Sequence, residues 1–273
     1  MNDDSLYHYT DASAVQSMLE RKKFWLTDLR FMNDSTELLH GIDFLTKAMH
    51  LQPYGLFYDD QYANSAVEYL STSLSLYQDA TRLEDPVFSM SFSEKQDLLS
   101  QWRGYGGYAV RFDRQCLEAA GINLHPCIYD TKSKRDFSID ATSSTGATIS
   151  RAMGENDGGL DVCSLNAAFE LIKTAARFKH SGFEEEKEVR MILQRDDSEI
   201  KYRPRNGMLI PYIEVDIPEG AITGVQIGPV RDQALSVLAM EMFTKSVERT
   251  HRSNGGSIEW EIAVSKSQTP YRD

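Results

Sequence analysis

Short β-prone runs and helical stretches follow one another along this chain in an order that a doubly wound sheet, with its regular strand-helix alternation, does not produce. The first run is Leu6-Tyr7-His8-Tyr9, followed by a helix whose apolar Ala14, Val15, Met18 and Leu19 recur at helical spacing, with Thr10 or Asp11 as its cap. Phe24 to Thr27 reads as a second short extended piece. A helix then starts at Asn33-Asp34-Ser35-Thr36-Glu37 and runs through Leu38, Leu39, Ile42, Leu45 and Met49, with Asp34 and Glu37 at capping-box spacing. Helical periodicity continues over about 59–80, and Asp85-Pro86 punctuates the start of a strand over 87–92.

Next comes a dense block: Phe88-Ser89-Met90-Ser91-Phe92-Ser93 as a strand, an amphipathic helix to Trp102, a Gly104-Tyr105-Gly106-Gly107 turn, and a strand over 108–112. A short helix to Gly121 and a strand near 122–129 are expected after it. The stretch 131–159 is rich in Ser, Thr, Gly and Asp with little apolar periodicity, so the expectation is a long mobile loop. Beyond it the pattern predicts a helix over 160–178 and a strand over 188–193. Strands over 209–215 and 222–227, a helix over 231–247 and a final strand over 258–264 complete the chain. The order predicts one α+β domain over 1–273, with helices inserted around a mixed, mostly antiparallel core.

Composition narrows the classes. With 29 Lys plus Arg against 41 Asp plus Glu, the net charge is −12, which excludes a generally basic nucleic-acid coat. No apolar run approaches the roughly 20 residues that cross a bilayer, and the acidic opening Met1 to Ser5 lacks the regions of a signal peptide. A cytoplasmic protein without a membrane partner is expected. Cys116, Cys127 and Cys163 are too widely spaced for a disulfide framework or a CxxC metal site, so reduced core thiols are expected and no metal centre.

Four constellations could carry chemistry. His8 and Tyr9 could bond and stack on a nucleotide, or be one rim and one core residue. Asn33, Asp34 and Glu37 could hold a ribose or a cation, although helix capping explains them nearly as well. Ser91, Ser93, Trp102, Tyr105 and Tyr108 gather hydroxyls and rings around a glycine turn, where rings could stack on a base or simply pack. In Glu184-Glu185-Glu186-Lys187-Glu188-Val189-Arg190, a charge run enters an apolar strand. Alternation places Glu186, Glu188 and Arg190 on one face, where a carboxylate could stabilise positive charge developing at an anomeric carbon.

Taken together, Phe31 to Glu37 (F-x-N-D-x-x-E), Ser91-Phe92-Ser93 with Trp102 to Gly106, Gly107 to Asp113, and Phe183 to Arg190 resemble a bacterial family catalogued only as a domain of unknown function. More distantly, a His on the first strand, aromatics in the middle and a Glu on a late strand resemble the ADP-ribosyltransferase superfamily. Leu6 to Thr10 with its short helix is similar to the opening of toxins that modify DNA bases.

That resemblance implies the superfamily's split β core and NAD as co-substrate. His8 would contact NAD, and Tyr9, Asn33, Asp34, Ser91 and Ser93, read from the residues alone, are further candidate cofactor contacts. Tyr105 or Tyr108 with Trp102 would pack on nicotinamide. Glu188 would carry the chemistry, with Glu186 and Arg190 of the same charged face as further catalytic candidates. It further implies a transferase acting on a macromolecular acceptor, nucleic acid before protein, as a toxin or phage-defence effector that an antitoxin could restrain. Lys132, Lys134, Arg135, Arg151, Arg203 and Arg205 are the candidate basic groove. Two rivals stand beside this. Glu185-Glu186-Lys187 with Asp113 could belong to a metal-dependent nuclease, and the aromatic block could serve a non-enzymatic nucleotide sensor.

Overall fold

A ten-stranded mixed sheet forks around one central strand. The structure is a computed structural model that describes residues 4–32, 36–51, 61–78, 86–195, 197–205 and 207–270. Asn33 and Asp34 lie outside the described residues.

The chain runs β1 (Ser5–Thr10), α1 (Ala12–Arg21), β2 (Lys23–Asp28), α2 (Thr36–Leu51), α3 (Ala63–Gln78), β3 (Val87–Ser93), α4 (Leu99–Tyr105) and β4 (Tyr108–Asp113). It continues α5 (Arg114–Ala119), β5 (Leu124–Pro126), α6 (Thr131–Glu155), α7 (Val162–Ala175), β6 (Glu188–Gln194), β7 (Lys201–Arg205), β8 (Met208–Asp216), β9 (Ile222–Ile227), α8 (Gln233–Ser253) and β10 (Ala263–Lys266). All strand pairs are antiparallel except β9–β10. The molecule is a single α+β domain, as the interleaved order predicts. Among the described residues no helix is long and apolar enough to cross a membrane.

Along one edge β3 pairs with β6 over its full length, from Val87↔Gln194 to Ser93↔Glu188. Its other edge is shared. β1 pairs only at the end, Tyr7↔Ser93, and β2 only at the start, Thr27↔Ser89 and Asp28↔Phe88. From there β1 leads away through β4, β9 and β10, and β2 through β8 and β7. The two wings diverge, leaving the middle of that edge of β3 without a strand partner.

The alternation of β3 is the reason for its position. Phe88, Met90 and Phe92 face one way into a core shared with Val15 and Leu19 of α1, Leu117 of α5 and Met240 of α8. Val87, Ser89, Ser91 and Ser93 face the other way, as do Glu188, Arg190 and Ile192 of β6. At the Val87–Ile192 end this second face is apolar and is covered by α2, α3, α6 and α7. Toward Ser93 and Glu188 it turns polar. Gly41 lets α2 approach α7, because a Cβ there would lie 2.2 Å from the Ala175 carbonyl oxygen.

The expected mobile loop at 131–159 is instead α6, one of the longest elements of the helical layer. Its buried stripe, Ser138, Thr142, Thr145, Gly146, Ile149, Ser150 and Met153, is spaced every three or four residues. The hydroxyls that hide this pattern are satisfied within the helix. Ser138 donates to the Lys134 carbonyl at 2.7 Å and Thr142 to the Ser138 carbonyl at 2.7 Å, so small side chains can be buried against α2 and α7 without orphaned polar atoms.

Other boundaries also move. The strand expected over 122–129 shrinks to Leu124–Pro126, and that expected over 258–264 begins only at Ala263, because Trp260 turns inward and donates from Nε1 to the Ile222 carbonyl at 2.8 Å. The edge strand β7, made of charged residues with Tyr and Pro, carries no apolar alternation and gave no strand signal. The cysteines are free, but only Cys127 is buried; Cys163 is exposed.

Candidate active site in the sheet fork

The fork opens into a cleft of about 910 Å³. Its floor is the polar face of β3 and β6, and its walls are β1 with α1 on one side and β2 with β7 on the other. At the unpaired middle of β3 the His8 ring replaces a strand: its Nδ1 lies 2.8 Å from the Ser91 carbonyl oxygen. Burial, reinforced by the positive charge of Arg203, pulls the His8 pKa below the usual histidine range. The neutral ring therefore donates from Nδ1, a tautomer assigned from this contact, and keeps Nε2 as an acceptor.

Ser91 is engaged from both sides. Its hydroxyl donates to Glu188 Oε1 at 2.5 Å, the diagonal cross-strand contact that the Ser91↔Arg190 register permits. Arg190 Nε donates to the same oxygen at 2.5 Å, while Lys179 Nζ bonds Oε2. Arg190 also reaches Glu37 and the Ala176 carbonyl, the latter at 2.7 Å, and Lys179 bonds Glu186 Oε2 at 2.7 Å. Three carboxylates and two cations thus form one connected network, of which only Glu37 is half-buried rather than buried.

Burial alone would raise the Glu188 pKa, but Arg190 and Lys179 beside it bring it down to about 2. Lys179, despite burial, is held above the usual lysine range by Glu188 and Glu37. Glu188 is therefore an ionised carboxylate fixed by three side-chain donors. The expectation of a shared face for Glu186, Glu188 and Arg190 holds in effect, although Glu186 ends a short 3-10 turn, Ser181–Glu186, before the strand begins. Ser93 supports that turn by donating to the Glu186 carbonyl at 2.6 Å.

The aromatic residues divide. Tyr105, the last residue of α4, keeps its ring exposed at the cleft. Burial raises its phenol pKa, though Lys179 opposes the shift, so the hydroxyl stays protonated. Gly106 fixes this position: its φ of +132° ends the helix, and a Cβ there would meet the Thr10 carbonyl oxygen at 2.5 Å.

Trp102 and Tyr108 do not line the cleft. Trp102 packs edge-on against Tyr9 with centroids 4.6 Å apart and donates to Asp97 at 2.7 Å, while Tyr108 packs on the main core. Tyr9 has its hydroxyl engaged by the Lys95 carbonyl at 2.6 Å and by the Leu98 amide at 3.2 Å. Trp102 and Tyr108 therefore pack behind the cleft, whereas Tyr9 lines it with its hydroxyl already engaged.

Several lining residues escaped sequence reasoning as site members. Phe31 and Phe183 expose rings to the cleft, and Trp25 lines its β2 wall. Lys179 had no signal at all, because it follows α7, where the parallel bridge Ile128↔Phe178 and its own amide bond to the Ile128 carbonyl at 3.0 Å set it beside β6. The six candidate basic residues also separate. Arg203 and Arg205 line the cleft, whereas the other four lie on α6, where Lys134 is buried with Nζ 3.4 Å from His40 Nε2.

The residues of the nuclease reading do not gather in the cleft. Asp113 caps α5 by accepting from the Cys116 amide at 2.8 Å, Glu185 is exposed, and Lys187 pairs with Glu184 at 3.1 Å. Cys127 is no nucleophile candidate, since burial pushes its thiol pKa up to about 12.

Residues 101–191 match the model of a family described as a protein of unknown function, DUF2971. The matched stretch runs from α4 into β6 and so contains Tyr105, Lys179, Glu186, Glu188 and Arg190 but not His8, Glu37 or β7. Searches of curated proteins and of solved structures found no match.

Proposed function

We propose that the protein is a transferase that cleaves NAD and passes ADP-ribose to a macromolecular acceptor, nucleic acid before protein, as a toxin or phage-defence effector. One observation carries this reading: His8 of β1 and Glu188 of β6 converge on Ser91 of β3, one on its carbonyl and one on its hydroxyl, at the floor of a forked sheet. A His from the first strand, a carboxylate from a late strand and an exposed ring between them are what the resemblance to ADP-ribosyltransferases requires. A cleft of about 910 Å³ has the size of a pocket that takes a nucleotide ligand.

NAD would supply a positively charged nicotinamide as leaving group. When the glycosidic bond breaks, nicotinamide departs neutral with the bonding electron pair, and positive charge develops on the ribose. Glu188 is suited to stabilise that charge, because its carboxylate is ionised before any ligand arrives and needs no proton transfer first. The Ser91 hydroxyl is the neutral donor among its three side-chain partners, so a ribose hydroxyl could take its place while Arg190 and Lys179 keep the carboxylate aimed. Tyr105 and Phe183 offer exposed rings for the nicotinamide. His8, with Nε2 accepting, suits a ribose hydroxyl or a carboxamide N–H. The acceptor attacks the anomeric carbon and releases its proton to solvent.

A second reading draws on the same network. Both Glu188 oxygens are already bonded, which also suits a sensor that binds a nucleotide in the cleft without cleaving it. Incubation with NAD labelled in the adenylate half, in separate pools of RNA, DNA and protein, separates the two. Label entering one pool supports transfer and names the acceptor class, whereas binding without label in any pool supports the sensor.

A further inference from the structure

The wing that carries β2 ends at β7, and its inward side is positively charged although the chain is strongly acidic. Arg203 and Arg205 are alternate residues of β7, so they share a face, and both line the cleft. Among the described residues neither has a carboxylate within ion-pair distance. Arg203 is nevertheless fixed: its guanidinium lies over Trp25 at 5.3 Å and Tyr212 at 5.6 Å, and Nη2 donates to Thr27 Oγ1 at 2.9 Å. Its Nε is buried with no hydrogen-bond partner. Arg21 adds a third guanidinium over Trp25 at 5.8 Å.

The acidic groups around this corner are already engaged. Asp11 caps α1, accepting from the Ala14 amide at 2.9 Å and the Ser13 hydroxyl at 2.6 Å. Glu20 accepts from Gln16 at 3.1 Å, and Glu214 holds Lys201 at 2.6 Å. Burial and the nearby Arg205 lower the pKa of Arg203, with Tyr212 and Asp11 opposing the shift. A ring-stacked Arg203 and an exposed Arg205, neither with a carboxylate within ion-pair distance among the described residues, are suited to phosphate oxygens.

We propose that Arg203 and Arg205 form a phosphate subsite on the β7 wall of the cleft, taking the phosphate or pyrophosphate group of a nucleotide ligand. The subsite shares the cleft with the proposed NAD reaction but is carried by separate residues. Two sources can supply its ligand: the pyrophosphate of a dinucleotide lying along the cleft, or the backbone of a single-stranded nucleic-acid acceptor.

The test is calorimetric titration of wild type, Arg205→Gln and Arg203→Lys with pyrophosphate, ADP and a short oligothymidylate, each at two salt concentrations. Arg205 is exposed and its side chain has no hydrogen bond or ion pair among the described residues, so its variant keeps the test valid even if Arg203→Lys folds poorly. The expected result is a loss of about tenfold in affinity for at least one probe in Arg205→Gln, as for loss of one charged hydrogen bond. A loss confined to pyrophosphate and ADP identifies the dinucleotide source. A loss confined to the oligonucleotide, with the salt slope reduced by about one, identifies the strand.

Wild-type affinities in Arg205→Gln for every probe, or no binding of any probe by wild type, overturns the subsite. Arginine-dependent phosphate binding without nicotinamide release leaves the subsite standing and removes the NAD reading. Nicotinamide release with unchanged phosphate binding does the reverse.

Discussion

The Ser91 hydroxyl and Glu188 Oε1 lie 2.5 Å apart across two neighbouring strands, and Ser91 also receives the His8 ring on its carbonyl oxygen. One small residue thus couples the two ends of the proposed chemistry. A larger side chain at position 91 would separate them.

Glu188→Gln is expected to abolish transfer, because it keeps the shape but removes the charge that faces the developing oxocarbenium. Its carboxylate also neutralises Lys179 and Arg190 in a buried setting, so the substitution should cost about 3 kcal/mol of stability as well. Glu186→Gln should be milder on both counts, since among the described residues its side chain has one ion-pair partner, Lys179. Denaturant titration beside a transfer assay checks the order; a greater loss of transfer in Glu186→Gln would reverse the assignment.

Lys179→Met should shift the pH profile rather than only lower activity. Without the ammonium, the Glu188 pKa rises from about 2, and the acid limb of the rate profile moves to higher pH. The same coupling acts on stability. The native pKa of Glu188 lies below its ordinary value of 4.5, so its contribution is complete above pH 4.5 and is lost as pH falls toward about 2. Urea midpoints measured over that window should fall less steeply in Glu188→Gln than in wild type.

His8→Ala should raise the KM for NAD more than it lowers kcat, because the ring positions the ground state as well as the transition state. Its pKa is lowered in the native state by burial and Arg203, so wild-type stability from this group is complete above pH 6.5 and declines as pH drops below that. His8→Gln should lose that dependence. An unchanged NAD titration in a folded His8→Ala would remove its binding role.

Part of this site was legible in the sequence. The strict alternation of Phe88, Met90 and Phe92 with Ser89, Ser91 and Ser93 marks a strand with one apolar and one polar face, and the spacing of Glu188 and Arg190 marks its partner. Lys179 was not legible, since no local pattern ties the end of a helix to a carboxylate on a later strand. Trp102 shows the opposite error: a ring in a glycine-rich block looked like a ligand face, but its N–H anchors Asp97, which also holds the Ser267 hydroxyl at 2.6 Å. The α6 helix was hidden because its buried stripe is made of Ser, Thr and Gly, residues that periodicity counts as polar.

The buried hydroxyl stripe of α6 should make its mutants asymmetric. Ser138→Ala should change stability by about 1 kcal/mol or less, since the hydroxyl bonds only its own helix. Ser138→Leu should destabilise by about 1–3 kcal/mol through overpacking of a fully buried site. Neutralising exposed Lys132 and Arg135 should leave transfer unchanged, because neither lines the cleft. Thermal melts and the transfer assay check each; equal melts for the two Ser138 variants would contradict the packing.

The most direct measurement is release of free nicotinamide from NAD by wild type and by Glu188→Gln, with nucleic acid present and absent. Wild type is expected to release nicotinamide, faster when nucleic acid is present, and a folded Glu188→Gln none above background. No release by wild type under either condition, or equal release by the two proteins, would contradict the proposed reaction.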